Sequence, residues 1–295
     1  MGSEHGGNGG IACRSVLGKG GEFRVVEHGT TVALDSPGVL ILLSPAKRLD
    51  YETPVPTRKF SEPRMVDRSA ELMSVLVKTP PDDVASLMSL SPTLTDLNVQ
   101  RYQDWEPHFS PDNARPAVFA FDGDTYAGLD VARFGERDLT HAQKTIRILS
   151  GLHGVLRPLD LVQPYRLEMG TKLRTARGND LYAYWGTAVT ETINDDLAER
   201  KSKVVVNLAS NEYFGVIQPE HLQARLVTPT FLDEVKGQYK VVSFHAKKAR
   251  GAMAAWLVLN RVSAVRALQD FDDLGYHYDS ERSTPDAPVF VRPAA

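Results

Sequence analysis

Apolar positions along the chain follow two periods. Residues 38–45, GVLILLSP, form a continuous apolar run closed by Ser-Pro, the pattern of a strand buried on both faces. KVVVNLAS, residues 203–210, has the same character. A helical period predicts helices over 67–79, 82–90 and 95–105, the second opened by Pro81, Asp82 and Asp83, which suit a first turn. Residues 115–130, RPAVFAFDGDTYAGLD, predict a strand followed by an Asp-Gly turn. Further helices are expected over 138–149, 179–200 and 251–262, and a hairpin over 224–247 turning at Lys236-Gly237. A short hairpin through His28-Gly29 is expected over 22–34.

Strands and helices interleave, yet the 224–247 hairpin is antiparallel. The expectation is an α/β chain of the mixed α+β kind, a mixed-sheet single domain over 38–295. Residues 1–37 precede it as a partly disordered extension, Gly-rich over 1–21 and without the apolar centre of a signal peptide.

Composition narrows the function classes. The 295 residues include 42% hydrophobic and 24% charged residues, ordinary for a globular protein. A net charge of −3 gives no whole-molecule attraction for nucleic acid, so an anion site must come from local clustering. The one cysteine, Cys13, excludes a disulfide framework and fits a reducing cytoplasm. No run approaches the ~20 apolar residues of a membrane span, and no membrane partner is expected.

Four segments set polar residues beside buried strands, where packing does not ask for them. In SPAKRLDY, Ser44 and Lys47 follow the first strand, a common place for ligand-binding groups. Their Ser-x-x-Lys spacing matches a penicillin-binding motif, but Ser-Asp-Asn and Lys-Thr-Gly are missing. In GLHGVLRPLDLVQPYRLEMG, residues 151–170, Arg157, Tyr165, Arg166 and Glu168 lie on a loop stiffened by Pro158 and Pro164, which suits bidentate anion recognition. In NLASNEYF, Asn207, Ser210, Glu212 and Tyr213 follow a strand. In HAKKARG, Lys247, Lys248 and Arg250 precede Gly251 at an expected helix start, a phosphate-binding corner if one anion is shared by cations and helix amides.

Each has a plainer reading: a solvated lysine, an Arg166 pair with Glu168 or Asp160, helix caps from Asn207 and Ser210, and three side chains snorkelling into water. The chain has no His-Glu-x-x-His, no Glu-x-x-His and neither Gly-rich phosphate motif, so no metal and no cofactor is expected. His153 and His245 lie within the polar segments as lone histidines.

The same segments, LILLSPAKRLDY, RYQDWEPHFSPDNARPAVFAFDGDTYAGL, LSGLHGVLRPLDLVQPYRLEMG, NLASNEYF and FLDEVKGQYKVVSFHAKKARG, resemble the bacterial peroxide stress protein YaaA family in order and without a large gap, from about Val39 to about Val291. The resemblance implies a cytosolic protein of peroxide resistance that limits free iron and so spares DNA. It also implies a mixed α/β fold of unusual topology, a positive cleft, and a helix-hairpin-helix element able to bind DNA. Residues 81–105 are the expected element, though they lack its usual Gly-rich hairpin. DNA is the expected partner, held by Lys47, Arg157, Arg166, Lys247, Lys248 and Arg250, with Ser44, Tyr165, Glu168, Asn207, Ser210, Glu212 and Tyr213 as further cleft residues. The resemblance assigns no catalytic role. His153 and His245 stand where the family commonly has Tyr, and residues 1–37 have no counterpart. The alternative is an enzyme acting on a nucleotide or other small anionic substrate with this Ser/Lys/Tyr/Arg/Glu mixture, because a backbone binder has little need of carboxylates and a Tyr. Iron held by carboxylates is a third reading.

Overall fold

A computed structural model of the chain describes residues 38–294. The hairpin expected over 22–34 lies outside the described residues.

In chain order, β1 (Leu40–Leu43) and β2 (Arg48–Leu49) precede helices α1 (Val66–Leu76), α2 (Pro81–Met88) and α3 (Pro92–Asp104). Then come β3 (Arg115–Pro116), α4 (Ala117–Ala120), β4 (Phe121–Asp122), α5 (Asp124–Leu129), α6 (Glu136–Thr145), β5 (Ile146–Ser150), β6 (Gly154–Leu156) and β7 (Leu161–Val162). Next are α7 (Leu181–Trp185), α8 (Ala188–Ala198), β8 (Val204–Asn207), α9 (Asn211–Phe214) and β9 (Arg225–Val227). The chain ends with β10 (Thr230–Val235), β11 (Gln238–Lys240), α10 (Ser243–Leu259), β12 (His277–Tyr278) and β13 (Val289–Arg292).

Five strands form the central sheet in the order β6-β5-β1-β8-β9. β1 runs parallel to β5 and β8, β9 runs parallel to β8, and β6 closes one edge antiparallel. Leu40 to Leu43 are all buried, as a middle strand covered on both faces requires. A second sheet, β11-β10-β13-β12, packs against α10 through an aromatic cluster in which Phe231 stacks on Phe290 at 5.5 Å. Mixed sheets and interleaved helices match the expected class.

β1 has a parallel neighbour on each side. The chain reaches β5 on one side first, then β8 on the other, and continues outward to β9. Connections therefore diverge between β1 and β8. Such a switch point opens a crevice outside the carboxyl ends of the strands. Ser44 follows β1 there, and Ser210 closes the loop after β8.

Several elements differ from expectation, each for an identifiable reason. Residues 115–130 are mostly helical: only two short bridging strands flank α4, and α5 follows Gly123. The 138–149 helix stops at Thr145, and Ile146–Ser150 is a wholly buried strand. Its polar Arg147 gives the run a helical appearance; it is spent on Asp196, which it grips through Nε at 2.6 Å and a second nitrogen at 2.8 Å. Burial pushes the Asp196 carboxyl up, but Arg147 and Arg64 outweigh it and hold the group at about 2. The long 179–200 helix breaks at Gly186, whose φ of 52° lies in the left-handed region that favours glycine. The hairpin is confined to β10 and β11, turning through Lys236 and Gly237 at φ 55° and 74°, the geometry of a type I′ turn; β9 belongs to the central sheet.

The largest difference is at α10. The helix starts at Ser243, not after Gly251, so Lys247, Lys248 and Arg250 lie inside it rather than at its amino end. The apolar KVVSF run imitates a strand, whereas the small residues Ala246, Ala249, Gly251, Ala252, Ala254 and Ala255 are all buried on the helix. Gly251 permits near backbone contact with α5. A Cβ on Gly251 would stand 1.8 Å from the Thr125 carbonyl oxygen, and one on Gly128 would stand 2.0 Å from the Lys248 carbonyl oxygen. Gly251 is thus a packing glycine rather than an anion-binding one.

Gly251→Ala is expected to force α5 and α10 apart and to cost about 3 kcal/mol, the upper part of the overpacking range, because the obstacle is backbone. Urea unfolding should give a lower midpoint with an unchanged slope.

Candidate functional site

The loop after β1 and the loop after β8 are tied at their hydroxyls. The Ser210 backbone N–H donates to Ser44 Oγ at 2.8 Å, and Ser44 Oγ lies 3.3 Å from Ser210 Oγ. Ser210 also caps α9, accepting from the Tyr213 N–H. The Tyr126 hydroxyl donates to the Ser44 carbonyl at 3.2 Å, which anchors α5 to the same loop. Register between β2 and β4 sets Arg48 opposite Asp122, and the two side chains pair at 2.6 Å.

These elements enclose a half-open cleft of about 370 Å³. Ser44 and Lys47 contribute from the first loop and Arg48 from β2; Asp122 from β4 and Asp124 and Thr125 from the start of α5; Ser210 from the cap of α9 and Glu212 and Tyr213 from α9 itself; Lys247 and Arg250 from α10. A larger groove of about 500 Å³ beside Phe60 and Pro164 takes none of the expected site residues and has a largely apolar wall. Most of the expected site residues converge at the switch-point cleft and not in that groove.

Carboxylates compensate part of the positive charge. Lys47 Nζ lies 2.6 Å from Glu168 Oε2, and Arg166 grips Glu168 Oε1 through two nitrogens at 2.8 and 3.1 Å. Glu212 Oε1 accepts from the Gly170 N–H at 3.1 Å, joining α9 to the Pro-rich loop. Arg250 differs. It is half-buried, donates from Nε to its own helix at Ala246 O, and has no carboxylate partner among the described residues. Burial alone lowers its affinity for its proton. A partly desolvated guanidinium with no carboxylate in ion-pair contact has the chemistry to take up an anion.

The floor beneath the cleft is aromatic. Tyr165 is buried and hydrogen-bonds Ser150 at 2.6 Å; burial drives its phenol far above the ordinary range, as it does for Tyr213 and Tyr126. His153 meets Tyr165 edge to face at 5.1 Å and Ser69 Oγ through Nδ1 at 3.0 Å, while its buried Nε2 has no hydrogen-bond partner among the described residues.

The structure thus brings together Ser44, Lys47, Ser210, Glu212, Tyr213, Lys247 and Arg250, with Arg166 and Glu168 attached through Lys47 and Tyr165 below. Three expected residues stand apart from the lining. Arg157 is spent on Asp160, whose carboxylate takes both its backbone N–H and its guanidinium. Asn207 is buried and turns the chain after β8 by accepting the Ala209 N–H. Lys248 does not line the cleft; its carbonyl packs on Gly128. Sequence reasoning missed Arg48, Asp122, Asp124 and Thr125; the signal was the Asp-Gly-Asp run, which opens α5 rather than making a plain turn. His245 leaves the cleft for the second sheet, where Nδ1 lies 3.3 Å from Asp233, a carboxylate also held by Arg292 and Tyr276. Among the described residues no three His, Cys, Asp or Glu side chains converge to hold a metal ion, and no helix is long and apolar enough to cross a membrane.

The chain is thus an α/β protein with an open sheet and a charged cleft at its switch point. The model of the family described as peroxide stress protein YaaA matches residues 39–282. A UPF0246 protein of Tolumonas auensis (strain DSM 9187 / NBRC 110442 / TA 4) is similar, with 54% identity over 255 residues, 86% of this chain and 98% of the relative. The chain belongs to the peroxide stress protein YaaA family, and its general role is in oxidative stress.

The buried His153 sets a pH dependence. Burial lowers its pKa from 6.5 to about 3, so between these values the unfolded chain binds a proton that the folded chain does not. Stability therefore falls as pH drops through that window, by at most about 1.4 kcal/mol per pH unit from this group. His141, lowered to about 4 mainly by burial, acts in the same direction. His153→Phe should flatten the loss of stability between pH 6 and 4 without abolishing it, as read by urea unfolding at each pH.

Proposed function

We propose that the protein acts in the cytoplasm under peroxide stress by binding DNA through phosphates at the cationic wall of this cleft, and so limits iron-dependent damage to it. The observation that carries this reading is Arg250: half-buried, facing the cleft and without a carboxylate, beside Lys47, Arg48 and Lys247. Local concentration of cations on a chain of net charge −3 is what confined phosphate binding requires. The α2–α3 pair is the weaker contributor. Its two helices are joined at Ser89–Ser91 as a helix-hairpin-helix would be, but 81–105 carries Asp82, Asp83, Asp96 and Asp104 against Arg101 alone. Phosphate contact is therefore assigned to the cleft.

A second reading is favoured by the hydroxyl pair. Ser44 and Ser210 touch each other at the switch point, with Lys47 and Glu212 in the same lining, a setting suited to an enzyme acting on a nucleotide or other small anionic substrate.

Duplex-DNA binding measured against salt separates the two. Wild type should lose affinity steeply as salt rises, and Lys247→Ala/Arg250→Ala should lower the slope by about two units, roughly one per phosphate contact removed. Equal slopes, or no binding by wild type, would remove the DNA reading. Ser44→Ala should leave the DNA slope unchanged; turnover of a nucleotide that Ser44→Ala abolishes would establish the enzyme.

A further inference from the structure

Phe244 is 56% exposed and Val241 is 59% exposed, at the point where the chain enters α10. Exposing a Phe forgoes a large apolar gain, and nothing in the second sheet covers this one. Its neighbours are cationic. Lys247 and Lys248 lie three and four residues further along α10, on the face that Phe244 occupies, and exposed Lys240 ends the preceding strand. The helix rise puts Phe244 about 4.5 Å along the axis from Lys247 and about 9 Å from Arg250. The last two line the cleft, so the ring stands one turn outside its rim. One edge of the ring is taken by His245 at 5.6 Å in a tilted, edge-like contact.

An apolar protein surface would have to desolvate the flanking lysines to cover this ring. A ligand that pairs a flat apolar face with negative charge fits without that cost. We infer that Phe244 is a stacking platform for an unpaired base of single-stranded DNA, whose adjoining phosphates run along α10 to Lys247 and Arg250. The inference rests on the DNA reading above and narrows it. Bases in an intact duplex have both faces stacked on neighbours, whereas every unpaired base offers a free face. Lys247 and Arg250 would serve either form of DNA; Phe244 would serve only the unpaired one.

The test compares a short oligothymidylate with a blunt duplex of the same length, on wild type, Phe244→Ala and Phe244→Trp. The exposed position makes both variants compatible with the fold. Phe244→Ala should weaken single-strand binding about tenfold, the scale of one lost stack, with duplex affinity and both salt slopes unchanged. Phe244→Trp should retain affinity, and its fluorescence should be quenched by the strand but not by the duplex. Equal losses on both DNA forms, or no loss on either, would overturn the platform while leaving phosphate binding intact. Self-association lost in Phe244→Ala without a change in strand binding would reassign the patch to a protein interface and overturn it too. Competition by free thymidine monophosphate as strong as by the strand would overturn the single-strand source. Failure of wild type to bind any DNA would instead be a failure of the DNA reading itself, visible before any variant is made.

Discussion

The cleft depends on the absence of two side chains. Gly128 on α5 and Gly251 on α10 let the helices meet at backbone distance, each where a Cβ would overlap the other's carbonyl oxygen. Because of that contact, Asp124 and Thr125 at the start of α5 face Lys247 and Arg250 across one opening. Any larger residue at either glycine would widen the space between the acidic and basic walls. Packing and function share one constraint here: the same turn of α10 that seats Gly251 against Thr125 carries Arg250 to the rim.

The opposite wall depends on sheet topology. Parallel strands of one open sheet leave a crevice only where their connections diverge, and here that is between β1 and β8. The Ser44–Ser210 contact ties the two diverging loops, and Tyr126 fastens α5 to the first of them. The hydroxyls therefore have a structural duty independent of any ligand. Glu212, through Gly170, extends the tie to the Pro-rich loop that carries Arg166 and Glu168.

Much of this was legible in the chain. Strands β1 and β8 announce themselves as unbroken apolar runs, and the Lys236-Gly237 turn as a dipeptide tolerant of positive φ. Ser44, Lys47, Ser210, Glu212, Lys247 and Arg250 were detectable as polar residues that packing did not require. What periodicity could not show was the fate of each charge. Arg147 disguised β5 because its partner Asp196 is distant in sequence, and Arg157 looked like a ligand because Asp160 is a fully buried acceptor only in the folded chain. The start of α10 was misplaced because the apolar Val-Val-Ser-Phe run looks like a strand, while Gly251 makes sense only against α5.

The distribution of partners also bears on how a slightly acidic protein could take up an anion in one cleft, as proposed, without attracting anions everywhere. Lys47 is neutralised by Glu168 and Arg48 by Asp122; both cations are exposed, so each can exchange its carboxylate for another acceptor, although Glu168 itself is mostly covered and stays held by Arg166. An incoming phosphate can replace those carboxylates at small cost but also gains little from them. Arg250 is already partly desolvated and has no carboxylate to give up, so its interaction with an incoming phosphate would not be offset by breaking an existing pair. Under the phosphate reading, the paired residues would tune which anions approach, and Arg250 and Lys247 on α10, neither paired with a carboxylate among the described residues, would supply the differential affinity. On that reading the energetic centre of the cleft would lie on the helix that Gly128 and Gly251 hold against α5.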